Sequence, residues 1–170
     1  MPFTPFHLGP ALLFGLALSM AFDLPTLLMA SVIPDVEPFI VLYFNIHGYP
    51  LHGFFHSYLG STFLAVTLAV FVYLFRGPIS KIVRIFRMSQ KPVFKKIIFT
   101  SFASAYTHVL LDSFLYGEME PFYPLPGNFF VNLISASETY SVIYGFCGIT
   151  ALLGIVTYVN KIRKGVAVLD

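Results

Sequence analysis

Residues 97–116 read IIFTSFASAYTHVLLDSFLY. A bilayer core takes about 20 apolar residues of helix to cross, and this stretch is long and apolar enough to be such a span. It also carries His108 and Asp112, four residues apart, near one end. On translocon-insertion scales a carboxylate costs about 2.5–3.5 kcal/mol at mid-membrane and less toward a helix end. A cation held against Asp112 would offset that cost, and His108, one turn away on the same face, would hold it from a second side.

Two further stretches have the length of a span. Phe54–Phe75 is ended by Arg76-Gly77-Pro78, and Tyr140–Val159 is ended by Lys161, Arg163 and Lys164. All three are near-continuously apolar, so periodicity marks no solvent-facing side. The composition agrees: 57% of the 170 residues are hydrophobic and 11% charged, against about 25% charged in a soluble domain. A surface that poor in charge needs lipid around it. The expected fold is therefore all-α, an integral membrane helical bundle forming one domain over residues 1–170.

The N-terminal part has a different pattern. Leu8–Ala21 is apolar but short, and Phe22-Asp23-Leu24-Pro25 is a turn with Asp23 as a helix cap and Pro25 as an early helix residue. Thr26–Ile33 runs apolar to Pro34-Asp35. This predicts a helical hairpin that enters the membrane and returns, bringing His7 and Asp35 to the same side. Val36–Phe44 reads as a short interfacial helix, and Asn45–Pro50 and Gly117–Asn128 as loops. No Lys or Arg precedes the first apolar run, which is not the pattern of a signal peptide. The single cysteine, Cys147, permits no intrachain disulfide.

The ten Lys and Arg fall in two places: Arg76 to Lys96 in a middle loop, and Lys161, Arg163 and Lys164. The positive-inside rule puts both in the cytoplasm. Residues 35–53 and 117–138 then lie outside, and with them all five histidines and six of the eight acidic residues. Asp23 and Asp170 fall on the cytoplasmic side. Basic residues this few and this close to spans argue against nucleic acid as a partner.

The outer layer holds a constellation. His52-Gly53-Phe54-Phe55-His56 leads into the first span, and His108 and Asp112 close the second. Residues four apart on a helix can face one point, and imidazole nitrogen and carboxylate oxygen are ligands that zinc and similar divalent ions prefer. With Asp35 and His7 from the hairpin ends there are six candidate ligands: His7, Asp35, His52, His56, His108 and Asp112. Six exceed one tetrahedral site and suit one or two ions, or a ligand shell plus a base. Glu37 and His47 stand in reserve. Each motif has a plainer reading alone: His108 and Asp112 as a polar lock between helices, Asp35 as a cap, His7 as an interfacial residue.

In order, His7 of the HLGP segment, Pro34-Asp35-Val36-Glu37-Pro38, His52…His56-Ser57 and His108…Asp112 resemble the pattern of the membrane-bound metal-dependent hydrolase family, also described as LexA-binding, inner-membrane-associated hydrolases. That family is grouped with zinc-dependent phospholipase C and related nucleases. The resemblance covers about Met1 to Leu125. Its members read PDxDH where this chain has PDVEP, and space the paired histidines by five residues rather than four. It implies a metal site.

The combined expectation is a membrane hydrolase acting on a phosphoester, small or lipid-linked, through water activated by one or two divalent ions, zinc first. Asp35, Glu37 or Asp112 would orient or deprotonate the water. The aromatic loop Pro121–Pro126 would flank the mouth and admit an amphipathic substrate from the membrane lipid. The alternative is a non-enzyme whose metal or polar site holds the helices together. Orientation has its own check: a cysteine introduced at Gly48 should react with an impermeant maleimide in intact cells, and reaction only after lysis would invert the topology.

Overall fold

The computed structural model describes residues 5–88, 90–131 and 133–164. The expected placement of Asp170 lies outside them. The described chain is all-helical: α1 (Leu8–Ala17), α2 (Leu24–Ala30), α3 (Val36–Tyr43), α4 (Tyr58–Leu74), α5 (Arg76–Ile85), α6 (Phe94–Ser113) and α7 (Ala136–Arg163), with 3-10 turns at Pro5–His7, Ile33–Asp35 and Phe54–His56.

The hairpin forms as its sequence signals predict. Asp23 caps α2, its side chain accepting from Thr26 N, and Pro25 sits in the first turn, where it has no intrahelical bond to lose. The two arms pack on each other. The 3-10 turn at Ile33–Asp35 joins α2 to α3, so that Leu24–Tyr43 becomes one long apolar stretch.

α6 is the central helix, packed between α2 and α4, while α7 lies along α1. One side of α6 is buried at Ile97, Thr100, Ser101, Ser104, Ala105, His108, Val109, Asp112 and Ser113, a 3.6-residue stripe of mainly polar residues that faces inward. Three of its hydroxyls are used on neighbouring backbones. Ser101 Oγ donates to Ala65 O of α4 at 2.8 Å and Ser104 Oγ to Leu27 O of α2 at 2.8 Å, while Thr100 Oγ1 accepts from Asp23 N at 3.0 Å. In a lipid-surrounded protein these bonds hold helices together where apolar packing gives no preference over lipid. On the other flank Gly9 lets α1 approach α7 closely: a Cβ there would overlap the Cys147 carbonyl.

The outside is carbon. Phe63, Val66, Val70 and Leu74 on α4, and Leu152, Leu153, Ile155 and Val156 on α7, are large and exposed, a surface that requires lipid. Among the described residues, Leu24–Tyr43 and Glu138–Arg163 are long and apolar enough to cross a membrane, with a third span if the bent pair α4–α5 counts as one. This differs from the expected three spans plus hairpin. The stretch 97–116 drops out because its central helix is too polar, a composition tolerable in a helix enclosed by others. The stretch 24–43 enters because α3 extends the second hairpin arm.

The middle basic segment is likewise not all loop. Arg76 opens α5, which turns 81° from α4. By helical spacing Ile79, Ile82, Val83 and Phe86 fall on one side and Ser80, Lys81 and Arg84 on the other, the pattern of a helix lying in a membrane surface. Arg76 itself is buried. Its Nη1 and Nη2 pair with both oxygens of fully buried Asp23 at 2.9 and 2.8 Å, and Nη2 also donates to Gln90 O at 3.0 Å. Gln90 bonds in turn to Ser19 O, Phe22 O and Leu24 N. This network ties the hairpin tip to the start of α5 and the segment before α6.

Removing one partner strands a buried charge, which costs about 3–5 kcal/mol, whereas replacing both with apolar groups is often tolerated. Asp23→Ala should therefore lower the thermal midpoint in detergent sharply, and Asp23→Ala with Arg76→Leu should recover much of the loss.

Candidate metal centre

At the opposite end of α6 from Arg76, four side chains from three places converge. Asp35 ends the 3-10 turn after α2, His56 ends the 3-10 turn before α4, and His108 and Asp112 lie on α6. His56 is held by its loop. Ser57 caps α4 by accepting from Gly60 N, and a Cβ at Gly60 would collide with the Phe54 carbonyl, so the tight entry into α4 requires glycine.

One ligand atom from each of the four lies within 4.8 Å of every other, and all four residues are buried. His108 Nε2 is 3.2 Å from Asp112 Oδ2 and 3.6 Å from Asp35 Oδ1; His56 Nε2 is 3.8 Å from Asp112 Oδ2 and 3.9 Å from Asp35 Oδ1. A tetrahedron of ligands about 2.1 Å from a zinc ion has edges of about 3.4 Å, and the four separations bracket that figure. These same four atoms are buried without hydrogen-bond partners. Buried polar atoms are seldom left unpaired, and here they surround one point.

The imidazoles are aimed from behind. His108 Nδ1 donates to Ser31 O at 2.7 Å, and His56 Nδ1 donates to Glu37 Oε2 at 2.9 Å. Both partners only accept, so both Nδ1 atoms carry a proton and each Nε2 is the nitrogen turned inward, where a cation would meet its lone pair. A histidine backed by a carboxylate or a carbonyl is the usual outer layer of a metal site. Glu37 is fully engaged. It also accepts from Tyr49 OH at 2.7 Å, Gly53 N at 2.9 Å and Phe55 N at 3.0 Å, so the loop that carries His56 is wrapped around one carboxylate.

His7 and His52 stand beside the four rather than among them. His7 Nε2 donates to Asp112 Oδ1 at 2.9 Å, and its ring centroid is 4.1 Å from that of His108. His52 Nδ1 donates to Glu118 Oε1 at 2.9 Å, and the ring stacks on Tyr116 at 3.8 Å. His7 Nδ1 and His52 Nε2 are buried and unpartnered. His52 and His56 do not share a helix: residue 53 is irregular, so their rings meet at 4.7 Å through a turn, not through helical spacing. His47 is exposed. The parts played by Glu37, Tyr49 and the Ser31 carbonyl are tertiary; only the position of Glu37, two residues after Asp35, hinted at its use.

Charge makes a cation fit. Three carboxylates, Asp35, Glu37 and Asp112, are buried, and among the described residues no Lys or Arg pairs with them. Burial pushes the His56 pKa down, but the surrounding carboxylates of Asp35, Glu37 and Asp112 outweigh it and hold it at about 9. His7 and His52 are pushed down by burial. Two nitrogens and two oxygens suit zinc and neighbouring first-row divalent ions.

A model of the YdjM inner membrane protein family matches residues 2–169, which includes α7, beyond the reach of the resemblance to residue 125. Comparison with curated proteins and with solved structures gives no match.

Because His56 is protonated below about pH 9 when it faces only carboxylates, a cation must displace that proton. Affinity should rise about tenfold per pH unit from 7 toward 9, measured by chelator competition. Elemental analysis should find metal in the wild type, almost none in His108→Ala, and about 10–100-fold weaker retention in Glu37→Gln.

Proposed function

Since the chain belongs to the YdjM inner membrane protein family, we propose that it is a membrane-embedded, metal-dependent hydrolase of phosphoesters. The observation that carries this reading is the group of four inward, unpartnered donor atoms of Asp35, His56, His108 and Asp112.

A divalent ion bound there would supply Lewis acidity and make water acidic enough to give hydroxide near neutral pH. The residues around it divide the remaining work. Glu37 and Ser31 O fix the two imidazoles, and His7 fixes Asp112 through the oxygen that faces away from the group. With His56, His108 and Asp112 as the three protein ligands of a catalytic site, and Asp112 also held by His7 through its other oxygen, Asp35, whose inward oxygen is unpartnered, would be left to take the proton from water at the fourth position. The water oxygen then bonds to phosphorus as the bond from phosphorus to the leaving alkoxide breaks, and the proton passes to that alkoxide. Among the described residues no Lys or Arg lies against the group, so the ion carries the neutralisation of the phosphoryl charge.

The positive-inside rule places this end on the non-cytoplasmic side and the C-terminal end of α7 in the cytoplasm. The aromatic segment after α6 supports access from the interface. Tyr58 N donates to Pro121 O at 2.8 Å, which holds Phe122 and Tyr123 beside the entry to α4.

One observation favours a second reading. Four protein ligands is the number of a closed structural site, and catalysis needs a further position for water or substrate. A structural ion that locks α2, α4 and α6 together is that alternative.

Turnover separates them. Metal-loaded protein in nanodiscs should hydrolyse soluble or lipid phosphoesters, and Asp35→Asn should lose about 10²–10⁴-fold in kcat while keeping most of its metal. Stoichiometric metal with no turnover of either class would leave the structural site as the answer.

A further inference from the structure

A cleft of about 270 Å³ separates α1 from α6. α1 packs on α2 and α7, α6 packs on α2 and α4, and α2 forms the floor between them. Ala11, Phe14 and Leu18 line one wall, Ala103 and Leu111 the other, and Leu27 lies beneath. Phe14, Leu18 and Thr107 are exposed at the rim, so the slot is open along its side.

The cleft is polar at one end only. His7 and His108 close it at the metal centre; Leu18 and Phe22 lie at the other end. From His7 to Leu18 is about 16 Å along a helix, half of the ~30 Å hydrocarbon core and so about one leaflet. Every hydroxyl along it is already spent. Ser31 Oγ donates to Leu28 O, Ser104 Oγ to Leu27 O and Thr107 Oγ1 to Ala103 O. The unpartnered polar atoms of the lining residues are His7 Nδ1 and His108 Nε2, both at the head end. A slot without free hydrogen-bonding groups, one leaflet long, open to the side and ending at paired imidazoles matches an amphiphile with one chain and a polar head.

We infer that the α1–α6 cleft holds the hydrocarbon chain of a lipid phosphoester whose headgroup reaches the centre formed by Asp35, His56, His108 and Asp112. This rests on the hydrolase reading for the chemistry at the head, but not for the slot itself.

The probe is a lysophosphatidic acid with a diazirine in its single acyl chain, incorporated in nanodiscs with the full-length protein. Labelling should concentrate on peptides containing Phe14, Leu18 and Ala103. Ala103→Phe, which fills the slot, should cut both this labelling and lysophosphatidate turnover by about tenfold or more, equivalent to 1.4 kcal/mol. Hydrolysis of p-nitrophenyl phosphate and metal content should stay at wild-type level. Ala11→Leu on the opposite wall gives the same split where the bulkier variant does not fold. Labelling spread evenly over α4 and α7 and unchanged by either variant would overturn the slot, whatever the hydrolytic activity. Labelling in the cleft with no turnover of any phosphoester would keep the slot and remove the hydrolase reading.

Discussion

Two carboxylates that share a buried site set the terms for the rest of this molecule. Inward oxygens of Asp35 and Asp112 lie within 4.8 Å of each other. At an effective dielectric of about 20, unit charges that close repel by at least about 3.5 kcal/mol. Most folds avoid such a juxtaposition, yet this one brings three chain segments together to create it. The hairpin returns Asp35 to the level at which α1 began, a glycine-dependent turn places His56, and α6 contributes His108 and Asp112 one turn apart. The carbonyl of Ser31 and the carboxylate of Glu37 then lock the imidazoles with each Nε2 turned inward. Nothing in this arrangement relieves the repulsion except positive charge, either a proton on His56 or a cation.

Polar residues elsewhere follow a different economy. Along α6 the buried hydroxyls of Thr100, Ser101 and Ser104 each find a neighbour's carbonyl or amide, so that the helix is polar toward protein and the bundle is apolar toward lipid. This inverted amphipathicity explains how α6 can be the most central helix and still fall outside the set apolar enough to span by itself. The helices that meet lipid over most of their length, α4 and α7, have no buried charge of their own.

Much of this was legible in the sequence because some of the contacts are local. His108 and Asp112 are one helical turn apart, and Asp23-Leu24-Pro25 carries its own capping chemistry. The polar stripe of Thr100, Ser101, Ser104, His108 and Asp112 was also on the page, at helical spacing, but a segment read as near-continuously apolar conceals it. His52 and His56 mislead for the opposite reason: the spacing of four suggests a helix, and the irregular backbone at Gly53 removes it. Arg76 reads as a topology signal and is buried against Asp23, 53 residues away. Glu37 as the clamp on His56, and a backbone carbonyl as the clamp on His108, have no local signature, because partners 19 and 77 residues apart are set only by the packed bundle.

The two ends of α6 solve the problem of buried charge in opposite ways. Near Thr100, Asp23 is matched by Arg76 from the same chain, and Gln90 absorbs the remaining backbone groups. That end is electrically complete as soon as the polypeptide folds. The other end is not. On the proposed metal reading this would set an order of events in maturation: the apoprotein would insert and assemble around its self-neutralised anchor, and the supply of ion would then decide when the bundle is complete.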